Sequence, residues 1–190
     1  VPWSRAMFAA EIERPESITS RIYGRSDSTI NRHGIRMGTS ELYRIVEEFD
    51  EVLDSLAIDL EYLGKPSFLA LFIVPRNSDP LALSRASTTE AAARGVEPGL
   101  RGRLLEAIRA RLSARHVPDE IYALAEVPRT LTGKKLEVPV KRILLGHPVD
   151  KAVNRDAMTN PQTIDWFLAF GASRSADLAA LAGQSDRQHS

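Results

Sequence analysis

The chain of 190 residues contains no cysteine. Without thiols it can form neither disulfides nor zinc–thiolate sites, and thiol catalysis is excluded. The absence of cysteine is compatible with a cytoplasmic location, which we expect. The sequence also lacks any apolar run near the roughly 18 residues that a membrane-spanning helix needs, so we predict no membrane partner.

An excess of charge of either sign is also missing. The chain has 25 Lys and Arg against 25 Asp and Glu, and only 6% of its residues are aromatic. Nucleic-acid-binding domains are usually basic, so the composition disfavours a nucleic-acid partner. His33 and His116 are isolated in the sequence and are better explained as surface or capping residues than as metal ligands, so we predict no metal site.

The hydrophobic pattern predicts a compact α+β domain. Short β-prone runs on either side of residues 31–34 predict a hairpin, because Gly34 can adopt a positive φ there. Residues 56–61 alternate in polarity and predict a half-buried strand, whereas the apolar run at 67–74 predicts an interior strand. Residues 76–98 are rich in small and polar residues and predict a loop with a helical turn near Glu90.

Further elements follow from the same patterns. Apolar residues at helical spacing predict helices over 42–49 and 100–112, a third strand is expected at 121–127, and a helix at 138–145. A final helix is expected from Asn160-Pro161 to Gly171. The predicted organisation is an N-terminal segment 1–20, the α+β domain 21–145, a helical extension 146–171 and a disordered tail 172–190.

Two segments stand out as candidates for chemistry. The first runs over residues 23–41 and contains a Gly-Arg-x-Asp turn followed by the hairpin. The second is the run Pro-Arg-Thr-Leu-Thr-Gly-Lys-Lys at residues 128–135. Taken alone, the first is compatible with a surface ion pair, which contributes about 0–1 kcal/mol, and the second with a solvated turn.

Taken together, the two segments resemble the signature motifs of the C-terminal domain of the adenylate-forming superfamily. These are a hinge motif, Gly-Arg-x-Asp leading to Gly-x-Arg-x-Gly-x-x-Glu, and a catalytic-lysine loop, Pro-x-Thr-x-x-Gly-Lys. Their order and their separation by about 100 residues also match. Residues 112–118, 132–141, 146–149 and 160–167 further resemble acetoacetyl-CoA synthetases, and many other relatives stop sooner after the lysine loop. The resemblance covers about residues 21–170.

The resemblance implies a mobile lid with roles for individual residues. By motif position, Lys134 and not Lys135 would be the catalytic cation, with Thr130 and Gly133 supporting its loop. Gly133 would let the backbone come close to the substrate.

The same resemblance assigns the hinge and the surface that faces CoA. The domain would swivel at Asp27, with Arg25 beside it in the hinge motif. Gly34 and Arg36 of the hairpin would face CoA. Arg109 falls where some acetyl-CoA synthetases place an arginine near the nucleotide end of CoA.

The resemblance also implies substrates and partners. ATP with Mg²⁺ and CoA would be substrates, bound mainly by an N-terminal adenylation domain, and acetoacetate or a similar short acyl group would be activated. The phosphate loop of that domain is absent, so we expect the chain alone to form no acyl-adenylate. Acetylation would remove the Lys134 charge, which makes a lysine acetyltransferase or deacetylase a further expected partner.

Two alternatives stay open beside an acetoacetate:CoA ligase lid. The chain could be the lid of another short-chain acyl-CoA synthetase, against which the segment after the lysine loop argues. It could also be a non-catalytic interaction or regulatory module. The acyl substrate follows from the resemblance alone, because the acyl pocket belongs to the N-terminal domain.

Overall fold

The computed structural model describes residues 29–32, 35–60 and 67–187. Within these ranges, the strands are β1 Thr29–Arg32, β2 Ile35–Gly38, β3 Val52–Leu60, β4 Phe68–Pro75 and β5 Glu120–Ala123. The helices are α1 Thr39–Val46, α2 Pro80–Arg85, α3 Thr89–Arg94, α4 Pro98–Arg111, α5 Glu137–Leu144, α6 Val149–Ala152 and α7 Thr163–Arg187. The predicted α+β class, a hairpin plus a three-stranded sheet flanked by helices, is confirmed.

Strand β4 is the centre of the sheet. It pairs antiparallel with β3 and parallel with β5, in the order β3-β4-β5. Residues 69–73 of this strand are all buried. An unbroken apolar run of this length suits a strand that is covered on both faces. The interior strand predicted at 67–74 is therefore confirmed.

Each face of the sheet supports its own apolar cluster. On one face, Leu56, Phe72 and Tyr122 pack against α5 and α7. On the other face, the intervening side chains, among them Leu71 and Ile121, pack against α1, α4 and the β1–β2 hairpin. The period-2 alternation of strand side chains produces this division. It places the hairpin and α4 on one side of the sheet, and α5 and α7 on the other.

The prediction of a half-buried β3 is wrong. Residues 55–60 are buried without interruption, although Ala57 and Asp59 alternate with larger apolar residues. The reason is that helices cover both faces, so the small Ala57 packs into one cluster while Asp59 accepts a hydrogen bond from the Ser67 hydroxyl. Polarity along the strand therefore does not report its exposure.

The stretch 76–98 was predicted to be a loop with a helical turn near Glu90; α3 lies where that turn was predicted, and α2 is a further helix that was not predicted. Helix α2 begins after Asp79, whose carboxylate accepts a hydrogen bond from the backbone N–H of Leu81 at 2.9 Å. Helix α3 begins after Thr88, whose hydroxyl accepts from the backbone N–H of Ala91 at 3.2 Å. Both are N-cap interactions, which satisfy otherwise free N–H groups in the first turn. The polar composition of this segment thus marks helix starts as well as loops.

Helix α7 continues beyond Gly171, where the last helix was predicted to end. The backbone is helical as far as Arg187, through residues that were predicted to form a disordered tail. These residues include many alanines and no proline, and alanine is the strongest helix former. Ser173 and Asp177 also contact Thr89 of α3. In the described part of the chain, no helix combines the length and the apolarity needed to cross a membrane.

The aromatic cluster on the α7 side gives a test of the fold. Phe72 is fully buried, and its ring centroid lies 5.2–5.4 Å from the rings of Tyr122, Phe167 and Phe170. We expect Phe72→Ala to lower the free energy of unfolding by about 3–5 kcal/mol, because it leaves a cavity between three rings. Urea unfolding followed by circular dichroism measures the change.

Leu81→Ala is the control, because Leu81 is 58% exposed and its loss should change the free energy of unfolding by less than about 0.5 kcal/mol. Equal effects of the two substitutions would contradict the placement of Phe72 in the core.

Candidate active-site loop

The loop between β5 and α5 is a closed turn. At its base, the backbone N–H of Leu136 donates to the carbonyl of Pro128 at 3.0 Å. Nearer the tip, Thr130 N–H donates to the Lys134 carbonyl at 2.9 Å, and Gly133 N–H donates to the Thr130 carbonyl at 2.8 Å. Gly133 has a φ of 80°, a conformation that glycine adopts without strain. We call residues 128–136 the lysine loop.

Lys134 lies at the exposed end of the lysine loop. Its backbone is held, because its N–H donates to the Thr130 hydroxyl at 3.1 Å, and that hydroxyl also lies 3.0 Å from the Thr132 hydroxyl. Its side chain is exposed, and its ammonium has no hydrogen-bond or ion-pair partner within the described residues. The loop thus presents a cation on a fixed backbone. Thr130 and Gly133 do order the loop; their part in any reaction stays a prediction.

Lys135 has the opposite environment. Its side chain is only 16% exposed, and its ammonium donates to Glu47 at 2.5 Å and to the backbone carbonyl of Ser55 at 2.6 Å. It lies 3.1 Å from Asp54 and 3.8 Å from the centre of the Tyr43 ring. Two carboxylates, a carbonyl and an aromatic face thus surround this ammonium, so its charge is compensated within the domain.

The position of Lys135 follows from the outer edge of β3, which pairs with no strand beyond β4 in the described part of the chain. Its partner, the Ser55 carbonyl, and the N–H of Ala57 both belong to this edge strand, and the N–H donates to the Tyr43 hydroxyl at 3.1 Å. The Tyr43 hydroxyl in turn donates to Glu137. Burial and the Glu137 carboxylate raise the pKa of Tyr43 well above its ordinary value, so the hydroxyl keeps its proton. Side chains therefore satisfy backbone groups that an uncovered edge would leave unpaired.

Asp54 binds both basic residues at the base of the turn. Its Oδ2 accepts from Nη2 of Arg129 at 2.6 Å and from Nε at 3.2 Å, while its Oδ1 lies 3.1 Å from the Lys135 ammonium. Burial alone would raise the pKa of Asp54, but the hydrogen bonds from Arg129 and the charge of Lys135 outweigh it and lower the pKa. The carboxylate is therefore ionised at neutral pH.

The segment before α7 binds the other side of the lysine loop. The backbone N–H of Arg129 donates to the side-chain carbonyl of Asn160 at 2.9 Å, and the Asn160 amide donates to the Val127 carbonyl at 2.8 Å. The Leu131 N–H donates to the Ala157 carbonyl at 3.0 Å. Asn160 was predicted to cap the last helix; instead it is buried and bridges the loop to the extension, and α7 begins three residues later.

The other predicted site residues do not meet at the lysine loop. Arg25, Asp27 and Gly34 lie outside the described residues. Arg36 is on β2, where its backbone is paired with that of Asn31, and its side chain is not among those described. Arg109 is exposed on α4, which packs on the opposite face of the sheet from α5. The described residues hold no cluster of three or more His, Asp or Glu side chains that could bind a metal ion.

Comparison with known proteins assigns the chain to a family. Acetoacetyl-CoA synthetase of Mus musculus is 40% identical over 144 residues, which are 76% of this chain and 19% of that protein. Acetoacetyl-coenzyme A synthetase of Rhizobium meliloti is 36% identical over 146 residues, 77% of this chain and 20% of its own length. The solved acetoacetyl-CoA synthetase of Streptomyces lividans superposes with a TM-score of 0.64 and 36% identity, covering 80% of this chain and 20% of that one.

The chain belongs to the adenylate-forming superfamily, and these relatives are acetoacetyl-CoA synthetases. A scan of protein-family models finds none that matches. The resemblance stated from the two motifs is thereby confirmed, and the fold matches the C-terminal domain of acyl-CoA synthetases. The chain spans about a fifth of the length of the curated acetoacetyl-CoA synthetases that it matches.

The residues around Lys135 had no part in the motif prediction. Asp54, Glu47 and Tyr43 lie far from the lysine loop in sequence and meet it only through the packing of α1 against β3. One signal was present: Asp54 is a charged residue inside a strand that is otherwise largely apolar. A charged residue at such a position is most stable when a cation lies beside it.

The contrast between the adjacent lysines gives a direct chemical prediction. An amine-reactive acetylating reagent should modify Lys134 at least about tenfold faster than Lys135. Lys135 must first leave its partners, and each ~1.4 kcal/mol of free energy for this opening slows the reaction about tenfold. Fragmentation mass spectrometry of the peptide that contains both lysines measures the two rates. Lys151, which is exposed on α6, is the reference and should react like Lys134. Equal rates at the adjacent lysines would contradict the structure.

The ionised Asp54 predicts a pH dependence of stability. The pKa of Asp54 in the folded state lies below the ordinary value of 3.8. Its contribution to the free energy of unfolding is therefore complete above pH 3.8 and is lost as the pH falls through the folded-state pKa. The free energy of unfolding of the unchanged chain should therefore exceed that of Asp54→Asn most at neutral pH. The difference should shrink on acidification to about pH 3. Urea titrations of both proteins across this range measure it, and a difference that grows on acidification would contradict the assignment.

Proposed function

We propose that this chain is the C-terminal part of an ATP-dependent acetoacetate:CoA ligase and supplies its catalytic lysine and its CoA-facing hairpin. One observation favours this function most: an exposed lysine without an ion-pair partner among the described residues, on a hydrogen-bonded loop, in a chain whose relatives are acetoacetyl-CoA synthetases. In this proposal Lys134 is the catalytic residue, and Thr130 and Gly133 shape its loop. The acetoacetate substrate is carried over from the names of the relatives.

Lys134 would act in the first half of the reaction. The carboxylate of the acid attacks the α-phosphorus of ATP, an acyl-adenylate forms, and pyrophosphate leaves. Negative charge grows on the oxygens of the α-phosphate in the transition state, and an ammonium held beside them stabilises that charge. The loss of one such donor typically costs about 3–4 kcal/mol, or 100- to 1,000-fold in rate. Because no carboxylate of the described residues pairs with Lys134, its charge is available for this task.

The second half would use the other side of the sheet. The thiol of CoA attacks the acyl carbon of the adenylate and AMP leaves. The β1–β2 hairpin, with Arg36, and α4, with Arg109, pack on the face of the sheet opposite to α5, the helix that follows the lysine loop. A rotation at the hinge residues Arg25 and Asp27 would exchange the two regions at one active site and bring Gly34 towards CoA. This separation supports a division of the two steps between two surfaces of the domain.

The proposal requires a partner domain. ATP with Mg²⁺, CoA and the acyl group would be bound mainly by an N-terminal adenylation domain, and the chain alone would form no acyl-adenylate. The lid of another short-chain acyl-CoA synthetase would use the same lysine with a different acyl pocket. A non-catalytic interaction module would need no free cation at the end of the loop, which is why we prefer the ligase.

Reconstitution tests the proposed function. The chain is mixed with, or fused to, the N-terminal domain of an acetoacetyl-CoA synthetase, and pyrophosphate release and thioester formation are assayed separately. The unchanged chain should restore both steps. Lys134→Ala should reduce acyl-adenylate formation about 100- to 1,000-fold, because the cation beside the α-phosphate is lost. Thioester formation from a supplied acyl-adenylate should change little.

Lys151→Ala is the matched control, since it removes an exposed lysine of α6 that lies outside the lysine loop. It should retain the activity of the unchanged chain. Restoration by Lys134→Ala equal to that of the unchanged chain would exclude Lys134 as the catalytic residue. No restoration by a folded, unchanged chain would favour the interaction module.

A further inference from the structure

We propose that Asp54 is a positioning residue for Lys134, a role that rests on the proposed function of that lysine. Asp54 lies on β3 and belongs to neither motif of the family resemblance. Its two carboxylate oxygens bind two different cations, Oδ2 the Arg129 guanidinium and Oδ1 the Lys135 ammonium. Arg129 and Lys135 face each other across an antiparallel bridge at the base of the turn. One carboxylate therefore holds both sides of the lysine loop to the sheet.

A second contact extends this constraint to the end of the loop. Nη1 of Arg129 donates to the backbone carbonyl of Gly133 at 2.6 Å, while Nε and Nη2 of the same guanidinium bind Asp54. That carbonyl belongs to the peptide group that joins Gly133 to Lys134. The N–H of this peptide donates to the Thr130 hydroxyl, and the contact from Arg129 fixes its carbonyl as well, at a glycine that by itself restricts the backbone little. The planar guanidinium transmits the position of Asp54 to the backbone of Lys134.

An irregularity in β3 directs the Asp54 side chain to this place. The pairing of β3 with β4 shifts between Val52 and Asp54, so that Leu53 is an extra residue and is 51% exposed. Val52 packs in the cluster with α1 and α4, whereas Leu56 packs in the cluster with α5 and α7. Regular alternation would put Val52 and Leu56 on the same face of the sheet. The extra residue therefore shifts the side chains that follow it to the opposite face. Bulges commonly redirect a side chain beside a functional site, and here the redirected side chain is Asp54.

The contacts of Asp54 are partly shielded from water. The exposed fractions of the Asp54, Lys135 and Arg129 side chains are 20%, 16% and 34%. Glu47 supplies a second carboxylate to Lys135, so two cations and two anions compensate one another. Shielded and compensated charges interact more strongly than exposed pairs, and a network of hydrogen bonds restricts its members to one arrangement. These conditions suit a rigid support for a loop that must present one further cation.

Two variants separate positioning from stability. Asp54→Asn keeps the size of the side chain but removes its charge and one of its acceptors. Arg129→Lys keeps a cation at the base of the turn but cannot bind Asp54 and the Gly133 carbonyl together. Glu48→Gln is the matched control, because Glu48 also accepts two hydrogen bonds from one arginine, Arg111, but it does so at α4.

The first readout needs no enzyme activity. Amide hydrogen exchange of the free chain reports the N–H groups of Gly133 and Lys134, which donate to Thr130. We expect Asp54→Asn and Arg129→Lys to speed exchange at both amides about tenfold or more. The contacts with Asp54 are weakened or lost in these variants, so local opening of the loop costs less free energy. Glu48→Gln should leave both rates unchanged. Unchanged rates in the two loop variants would overturn the proposal.

The second readout uses the chain reconstituted with the N-terminal adenylation domain. In both loop variants kcat for acyl-adenylate formation should fall about 10- to 100-fold, because a displaced cation stabilises the transition state less. The KM for ATP and thioester formation from supplied adenylate should stay within about twofold. A role in stability alone would lower both half-reactions equally and would be reversed by cooling the assay.

The two readouts distinguish the failure of this inference from that of the proposed function. Faster exchange in the variants with full acyl-adenylate formation would overturn positioning while leaving Lys134 as the catalytic residue. No activity from the unchanged chain in either half-reaction would overturn the proposed function and with it the catalytic role of Asp54. The exchange rates would then still decide whether Asp54 orders the loop.

Discussion

The burial of β4 on both faces is the constraint from which the rest of the structure follows. A central strand without exposed side chains needs helices on both sides of the sheet, and the two apolar clusters that result occupy nearly all of the interior. Most charged groups of the described residues then lie on the helix surfaces, in the loops and at the outer edge of β3, whereas Asp59 and Arg174 are buried. The lysine loop lies at that edge, where backbone groups of Ser55 and Ala57 still need partners.

The edge explains how two neighbouring lysines acquire different tasks. The Lys135 side chain points towards β3 and donates to the Ser55 carbonyl. Glu47 and Asp54 compensate its charge within the domain. Lys134 turns to solvent on the same backbone, and its charge is not compensated within the described residues. The proposed chemistry therefore depends on the packing of α1 and β3 as much as on the loop. This also explains why a carboxylate on a distant strand can affect a reaction at Lys134.

Some of this could be predicted from the sequence, because its causes are local. The hairpin, β4 and α4 follow from short-range patterns of apolar residues. The prediction for Lys134 rests on its position in the motif Pro-x-Thr-x-x-Gly-Lys. What could not be predicted depends on contacts between distant segments. The burial of Asp59, the bridging role of Asn160 and the pairing of Asp54 with Arg129 each require the tertiary fold. The length of α7 was missed because a composition rich in small residues is shared by flexible tails and by alanine-rich helices.

The most direct test of the central claim is a crystal structure of the chain joined to the N-terminal domain of an acetoacetyl-CoA synthetase, with a non-hydrolysable acyl-adenylate analogue bound. We expect the Lys134 ammonium to lie about 2.7–3.1 Å from an oxygen of the α-phosphate group. Lys135 should remain bound to Glu47 and Asp54, as it is in the chain alone. A structure in which Lys135 leaves β3 to contact the phosphate, or in which neither lysine reaches it, would contradict the proposed role of Lys134.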